Sequence, residues 1–262
     1  MLANLLASIN TWLAQEKSVK SIEKQAQENL KALSENPYPG RGIVMGRSAV
    51  GDLMQIYWVM GRSENSRNRV LLLDRADGEE VVRTAAFDPL KVEDPSLIIY
   101  NAMRQHGDFH IVSNGDQTDT VVQFLKEGNT VDEALASRSY EPDDPNFTPR
   151  ITGIINDAAK TYLMWITRKH EATGLPEHSH GLWSKFAVDA LGECIHTYRG
   201  DGSPLPPFEG RPYAVPLGEG VVSTAETYWD TLNPDNRVAL VAKSIDSETG
   251  TVDYHIINAL NR

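Results

Sequence analysis

Cysteine is almost missing from this chain: Cys194 is the only one in 262 residues. No intramolecular disulfide can form, nor a zinc site built from several thiolates of this chain. The expected compartment is therefore a reducing one, the cytoplasm. Long apolar runs are also absent, and no stretch approaches the roughly 20 apolar residues of a membrane-spanning helix. The mildly apolar start has neither a cationic region nor a small-residue cleavage site, so no signal peptide is expected. Positive charge is scarce, with 25 Lys and Arg against 36 Asp and Glu and a formal charge of −11. Nucleic-acid binders and membrane-surface proteins carry basic footprints, so neither partner is expected. Neither a GxxxxGK[ST] loop nor a GxGxxG fingerprint occurs. His178 and His180 have no second ligand cluster beside them in the sequence, so no metal site is expected. With 40% hydrophobic residues, a chain of this length buries a core without staples.

What charge there is has been sorted. Residues 1–36 hold four Glu and four Lys and are neutral. Residues 37–70 hold Arg41, Arg47, Arg62, Arg67 and Arg69 against Asp52 and Glu64, a local +3. The remaining −14 lies in 71–262. All five cations of the middle segment are arginine, whose planar fork suits phosphate and carboxylate. Screening acts over about 8 Å at physiological salt, so a bound anion responds to these arginines rather than to the acidic remainder.

Apolar spacing predicts a helix over 2–35, with a possible break near Lys17 and Ser18, that ends before Asn36-Pro37. Beyond it the texture changes to strands at 42–47, 53–60, 69–74, 80–87, 97–103 and 109–113. The run LMQIYWVM at 53–60 fits a strand buried on both faces. Asp77-Gly78 reads as a hairpin turn. Helices are expected at 116–127 and at 130–136, the second opened by Thr130 with Glu133 three residues on, a capping box. Strands at 151–155, 161–167, 186–188 and 193–198, a helix at 221–232 and a hairpin from 237–245 and 251–257 complete the chain. Hairpins dominate and βαβ alternation is absent, which predicts an α+β fold of antiparallel sheets with helices packed outside. The expected division is a helical extension, 1–36, followed by one domain, 37–262.

Four constellations carry candidate chemistry. The segment MGRSENSRNR at 60–69 ends a buried strand with three arginines and several Ser and Asn donors, a set suited to a phosphate dianion. The stretch SNGDQTD at 113–119 leads into a helix, either as an anion site at free N–H groups or as a plain Asx turn and cap. Tyr140, Glu141, Asp143 and Asp144 form an acidic loop that offers general acid–base groups or only a solvated surface. Cys194, His196 and Tyr198 share one face of a strand; they read as a nucleophile pair or, more commonly for a lone strand cysteine, as core.

These segments resemble the archaeal-type inosine-monophosphate (IMP) cyclohydrolases and their bacterial relatives. The resemblance is carried in order by Tyr38-Pro39-Gly40-Arg41-Gly42, by GRSENSRNR, by Tyr100-Asn101-Ala102 and by VSNGDQTD. It continues through Tyr140-Glu141, Pro149-Arg150-Ile151 and IHTYRGDGSPLPPFE. The resemblance implies a four-layer αββα sandwich like that of N-terminal-nucleophile hydrolases, with the helical segment 1–36 as an addition. It also implies closure of 5-formamidoimidazole-4-carboxamide ribotide (FAICAR) to IMP and water, in purine biosynthesis, without metal or organic cofactor. By motif it implies Arg69, Tyr100 and Glu141 as the catalytic set, with Arg67 an alternative to Arg69. Arg41, Arg62 and Arg67 would take the 5′-phosphate. Asn114, Gln117 and Thr118 would contact base or ribose, and Asn101 and Asp201 are further candidates. A homo-oligomer, tetramer or dimer, is expected. Two other readings stay open: a non-catalytic purine-nucleotide-binding relative, and an amidohydrolase of the same fold that uses Cys194.

Overall fold

The computed structural model describes residues 2–261 except 77, 93, 94, 96, 97, 181–183 and 187; for 2–17, 76, 180 and 261 only the backbone is described. The chain opens with one uninterrupted helix, α1 (Leu2–Glu35). Then come β1 (Gly42–Arg47), β2 (Leu53–Met60), the short α2 (Glu64–Arg67), β3 (Arg69–Ala76), β4 (Glu79–Ala86), β5 (Asn101–His106) and β6 (Phe109–Ser113). Helices α3 (Gln117–Lys126) and α4 (Val131–Ala136) precede β7 (Arg150–Asn156), β8 (Thr161–Lys169), β9 (Pro176–His180), β10 (Ser184–Lys185), β11 (Leu191–His196) and β12 (Tyr213–Pro216). Helix α5 (Val221–Thr231), β13 (Arg237–Ile245) and β14 (Val252–Asn258) end the chain.

All described strand pairs are antiparallel. They form a six-stranded sheet in the order β12-β11-β1-β2-β13-β14. An eight-stranded sheet runs β10-β8-β7-β6-β5-β4-β3, with β9 paired to β8. This is the α+β architecture with antiparallel sheets. The period-2 alternation of a strand explains why β2 is an unbroken apolar run. Leu53, Tyr57 and Val59 face the core between the sheets, while Met54, Ile56, Trp58 and Met60 face a second core under α5 and the end of α1. A third core on the far face of the eight-stranded sheet joins Ile111, Ile154 and Trp165 to Val121 and Val122 of α3 and Ala134 and Leu135 of α4. Helix α4 carries the reciprocal Thr130–Glu133 capping box. Helix α1 docks through Ala26 and Leu33, and Asn29 Nδ2 donates to the Ala214 carbonyl at 2.7 Å.

Several elements differ from the sequence pattern. The loop at 60–69 contains α2, capped by Ser63. The polar stretch PEHSH forms β9, which has no apolar alternation and exists because β8 offers it a ladder. Phe186 and Val188 lie in no strand, and Phe186 instead stacks on Tyr162 at 4.6 Å; Ala187 lies outside the described residues. Strand β5 starts at Asn101 rather than 97, and Leu97, like Asp77 of the expected hairpin turn, lies outside the described residues. Among the described residues no helix is long and apolar enough to cross a membrane.

Candidate active site between the sheet ends

The antiparallel registers bring one end of each sheet together. Gly42 pairs with Trp58 and His196 in the six-stranded sheet, and Ser113 with Thr152 in the other. Arg41 enters this place because of the glycines beside it. Gly40 has φ +76°, and a Cβ there would sit 2.2 Å from Thr197 Oγ1; a Cβ on Gly42 would sit 1.9 Å from the Trp58 ring. Only glycine lets the backbone press this closely on its neighbours. Arg41 N then donates to Thr197 Oγ1 at 3.1 Å.

The Arg41 guanidinium donates to Glu141 Oε1 at 2.7 Å, and the two side chains are only 12% and 4% exposed. Asn114 Nδ2 donates to the same oxygen at 3.3 Å and to the Pro149 carbonyl at 2.9 Å. Asn114 Oδ1 accepts from Gln117 Nε2 at 2.9 Å and from Ile151 N at 2.8 Å. Gln117 Oε1 accepts from Arg150 at 2.7 Å, and Arg150 and Arg138 both bind Asp116. Glu141, Asn114 and Gln117 are thus one network, held by the turn before α3 and the start of β7.

Opposite them, the hydroxyls of Tyr57 and Tyr100 meet at 2.6 Å. Arg69 is buried beside them; its Nε donates to the Ser66 carbonyl at 2.8 Å and its terminal nitrogen to the Met60 carbonyl at 3.3 Å. Tyr198 completes the wall, stacked on Tyr38 at 5.9 Å and hydrogen-bonded to Thr148, which in turn binds Asp143.

Electrostatics follow from burial and pairing. Burial works against the Arg41 charge, but Glu141 and then the hydroxyls of Tyr198, Tyr100 and Tyr57 hold the guanidinium well above its ordinary value. Burial pushes the Glu141 carboxyl above the usual glutamate range, and Arg41 and Arg150 pull it back without cancelling the effect. A carboxyl raised in this way and fixed by an arginine is a candidate for moving protons.

The other expected residues lie elsewhere. Arg62 is exposed, paired with Asp201 and seated 4.8 Å over the Tyr38 ring. Arg67 donates to the Gly61 carbonyl at 3.1 Å and to Asn236 Oδ1 at 3.3 Å. Arg62 and Arg67 line an open cleft of about 570 Å³ with Asn68 and Lys91. The Asn101 amide is turned to α3, where Asp119 accepts from it at 3.0 and 3.1 Å. The Thr118 hydroxyl is buried against Ser113 and the Gly115 carbonyl, a local cap. Cys194 is fully buried, and burial pushes its thiol up to about 12. His196 Nδ1 meets the Tyr198 carbonyl at 2.8 Å rather than the sulfur. A Cys–His nucleophile needs thiolate character and access, and this thiol has neither. His178 Nδ1 meets Thr167 Oγ1 at 3.0 Å, and no group of three metal-ligating side chains occurs among the described residues. Tyr57 is the site residue that sequence reasoning passed over; its only trace was a hydroxyl inside an apolar run.

The match to known proteins spans this arrangement: the IMP cyclohydrolase-like protein family matches residues 38–250. The chain belongs to this family. Among relatives named IMP cyclohydrolase, one from Halobacterium salinarum is 32% identical over 130 residues, 48% of this chain and 61% of the relative. One from Methanothrix thermoacetophila is 34% identical over 124 residues, 45% and 58% of the two chains. One from Methanococcus maripaludis is 30% identical over 137 residues, 50% and 63%. The matched stretch spans about 60% of the length of these relatives. The family match begins at Tyr38, shortly after the end of α1 at Glu35.

Proposed function

We propose that this chain is an IMP cyclohydrolase that closes FAICAR to IMP and releases water. The observation that carries this reading is the buried Arg41–Glu141 pair set against the Tyr57–Tyr100 pair at the joined sheet ends of a family member. Ring closure demands such a set. An amide nitrogen is a poor nucleophile, so the carboxamide must be held against the formyl carbon, which supplies about 7–11 kcal/mol. A base must take the N–H proton, and an acid must serve the formyl oxygen. Glu141 is proposed as the base and Tyr100 as the acid. Arg69 is proposed to hold negative charge on the substrate beside them; Arg67, which faces the open cleft, is the weaker match for that role. Arg62 and Arg67 are candidates for the 5′-phosphate, with Asp201 orienting Arg62. Arg41, committed to Glu141, is proposed to orient that carboxyl. Asn114 and Gln117 are proposed to present the base or ribose contacts from a fixed network, while Asn101 and Thr118 act at one remove, through Asp119 and Ser113. The chemistry proposed uses no metal or organic cofactor.

The two sheets, with α1 and α5 on one outer face and α3 and α4 on the other, support a four-layer αββα sandwich of the N-terminal-nucleophile-hydrolase type. In this proposal 37–262 is the catalytic domain and 1–36 an appended helix. A cytoplasmic homo-oligomer, tetramer or dimer, is the form expected for it. Purified protein given FAICAR is expected to form IMP, followed by absorbance, well above the uncatalysed rate. Nucleotide binding without turnover would replace this reading with that of a non-catalytic relative.

A further inference from the structure

Tyr57 comes from β2 of one sheet and Tyr100 from the residue before β5 of the other, and each is the hydroxyl partner of the other at 2.6 Å. The pair is not symmetric. Tyr57 is 0% exposed and Tyr100 7%, so Tyr100 is the one with a side open to a ligand, while neither hydroxyl has another hydrogen-bond partner among the described residues. A buried phenol requires a partner, so the contact fixes both rings. Each hydroxyl has one proton to donate. If Tyr100 donated to Tyr57, its proton would be committed to the protein interior. If Tyr57 donates to Tyr100, the Tyr100 proton is free for a ligand, and the Tyr100 oxygen keeps a hydrogen bond after that proton has left.

We propose that Tyr57 is a positioning residue for ring closure: it donates to Tyr100 Oη, aims the Tyr100 O–H at the formyl oxygen, and stabilises the phenolate formed when that proton moves. This inference rests on the ring-closure reading above. In the first step the carboxamide nitrogen bonds to the formyl carbon, and the C=O π pair moves onto oxygen. That oxygen takes the Tyr100 proton, while Glu141 takes a proton from the attacking nitrogen. In the second step the C–O bond breaks, Glu141 returns its proton to the departing hydroxyl to make water, and the former formamido nitrogen gives its proton to Tyr100. Both side chains are reset.

The surroundings agree with this division of labour. Burial, and then Tyr100, hold the Tyr57 phenol well above the ordinary tyrosine range against the opposing pull of Arg41 and Arg69, so Tyr57 keeps a proton to donate. Arg41, which also acts on Tyr100, favours negative charge that develops on the Tyr100 oxygen.

The test compares wild type, Tyr57→Phe, Tyr100→Phe and the double variant, with kcat and KM for FAICAR measured across pH. Tyr57→Phe is expected to lower kcat about 10- to 100-fold, the size of a lost hydrogen bond to a charged group, with KM within about twofold. The alkaline limb of its kcat profile moves to higher pH, because the Tyr100 phenolate has lost a donor. In the double variant, loss of Tyr57 adds nothing to loss of Tyr100. A fluorotyrosine placed at position 57 keeps the ring and acidifies the donor, and is expected to move the limb to lower pH; this arm does not depend on how the phenylalanine variant folds. An unmoved limb in the fluorotyrosine protein, unchanged kcat in Tyr57→Phe, or multiplicative losses in the double variant overturns the role of Tyr57 and leaves ring closure standing. A wild-type protein that does not turn FAICAR over overturns the ring-closure reading instead.

Discussion

Two buried polar clusters lie between the same two sheets, and they handle charge in opposite ways. Near the joined sheet ends, Arg41 is matched by Glu141 at 2.7 Å. Two residues before Tyr57 on the same inward face of β2, Gln55 donates to the His110 carbonyl at 3.0 Å. Beside it Lys243, 0% exposed, lies with Nζ 2.8 Å from His110 Nδ1. No carboxylate forms an ion pair with Lys243 among the described residues. Burial pushes Lys243 down to about 7, only partly offset by Glu80. Burial, and then Lys243, push His110 down to about 3. Arginine cannot shed its proton, so a buried one must have its charge met, by a carboxylate for Arg41 and by the Ser66 and Met60 carbonyls for Arg69; lysine can, and then needs only a hydrogen-bond acceptor. The first cluster therefore keeps charge where a ligand would use it, and the second discards charge where the sheets close over it.

The sharpest way to break the comparison is to remove charge from the first cluster. Glu141→Gln keeps a carbonyl oxygen for Arg41 but cannot take a proton. Turnover of FAICAR is expected to fall about 10²- to 10⁴-fold, the usual worth of a general base, while the fold survives. Glu141→Leu strands the Arg41 charge as well, and is expected to cost about 3–5 kcal/mol in denaturant unfolding. A Gln variant within tenfold of wild-type turnover would remove Glu141 from the proton path.

The second cluster predicts the reverse. Lys243→Met replaces a buried ammonium by an apolar chain of similar length. The change is expected to be neutral to stabilising, by up to about 4 kcal/mol, with FAICAR turnover within about twofold of wild type. Destabilisation by more than about 1 kcal/mol in urea unfolding would mean that the contacts of Lys243 with His110 and with the Tyr254 ring, 5.6 Å from the ammonium, outweigh the cost of burying it.

Much of the frame behind this contrast can be read in the residues alone, because it is local. The apolar run of β2 announces a strand covered on both faces, and Thr130 with Glu133 announces the start of α4. The clusters themselves are not local. Tyr57 meets a partner 43 residues away on the other sheet, and Lys243 meets one 133 residues away, so neither pairing leaves a pattern in its own strand. The arginines of 37–70 look like one phosphate site in sequence but separate in space. Arg41 and Arg69 turn inward, Arg62 and Arg67 reach the open cleft, and Arg47 pairs with Asp189 at 3.1 Å at the far end of β1. Strand length and alternation spread neighbours apart, and spacing along the chain does not reveal which end of a strand becomes the site.

The smallest effect is also the most specific to the second cluster. The folded protein releases the Lys243 proton near pH 7, whereas an unfolded lysine holds it to about 10.4. Between those values the unfolded chain binds more protons, so stability rises with pH. Below pH 7 both states are protonated at this residue, and the charged ammonium must be buried at full cost. The slope from this one group approaches about 1.4 kcal/mol per pH unit. Other groups titrate in the same window, so the informative quantity is the difference between wild type and Lys243→Met in urea unfolding at pH 7, 8 and 9. That difference is expected to be largest at pH 7 and to shrink as pH rises, because the folded lysine is by then neutral while the unfolded one is still charged, and the cost of removing the proton on folding falls as pH approaches the unfolded value. A difference that stays constant from pH 7 to 9 would show that Lys243 keeps its charge in the folded protein, and the two clusters would then obey one rule rather than two.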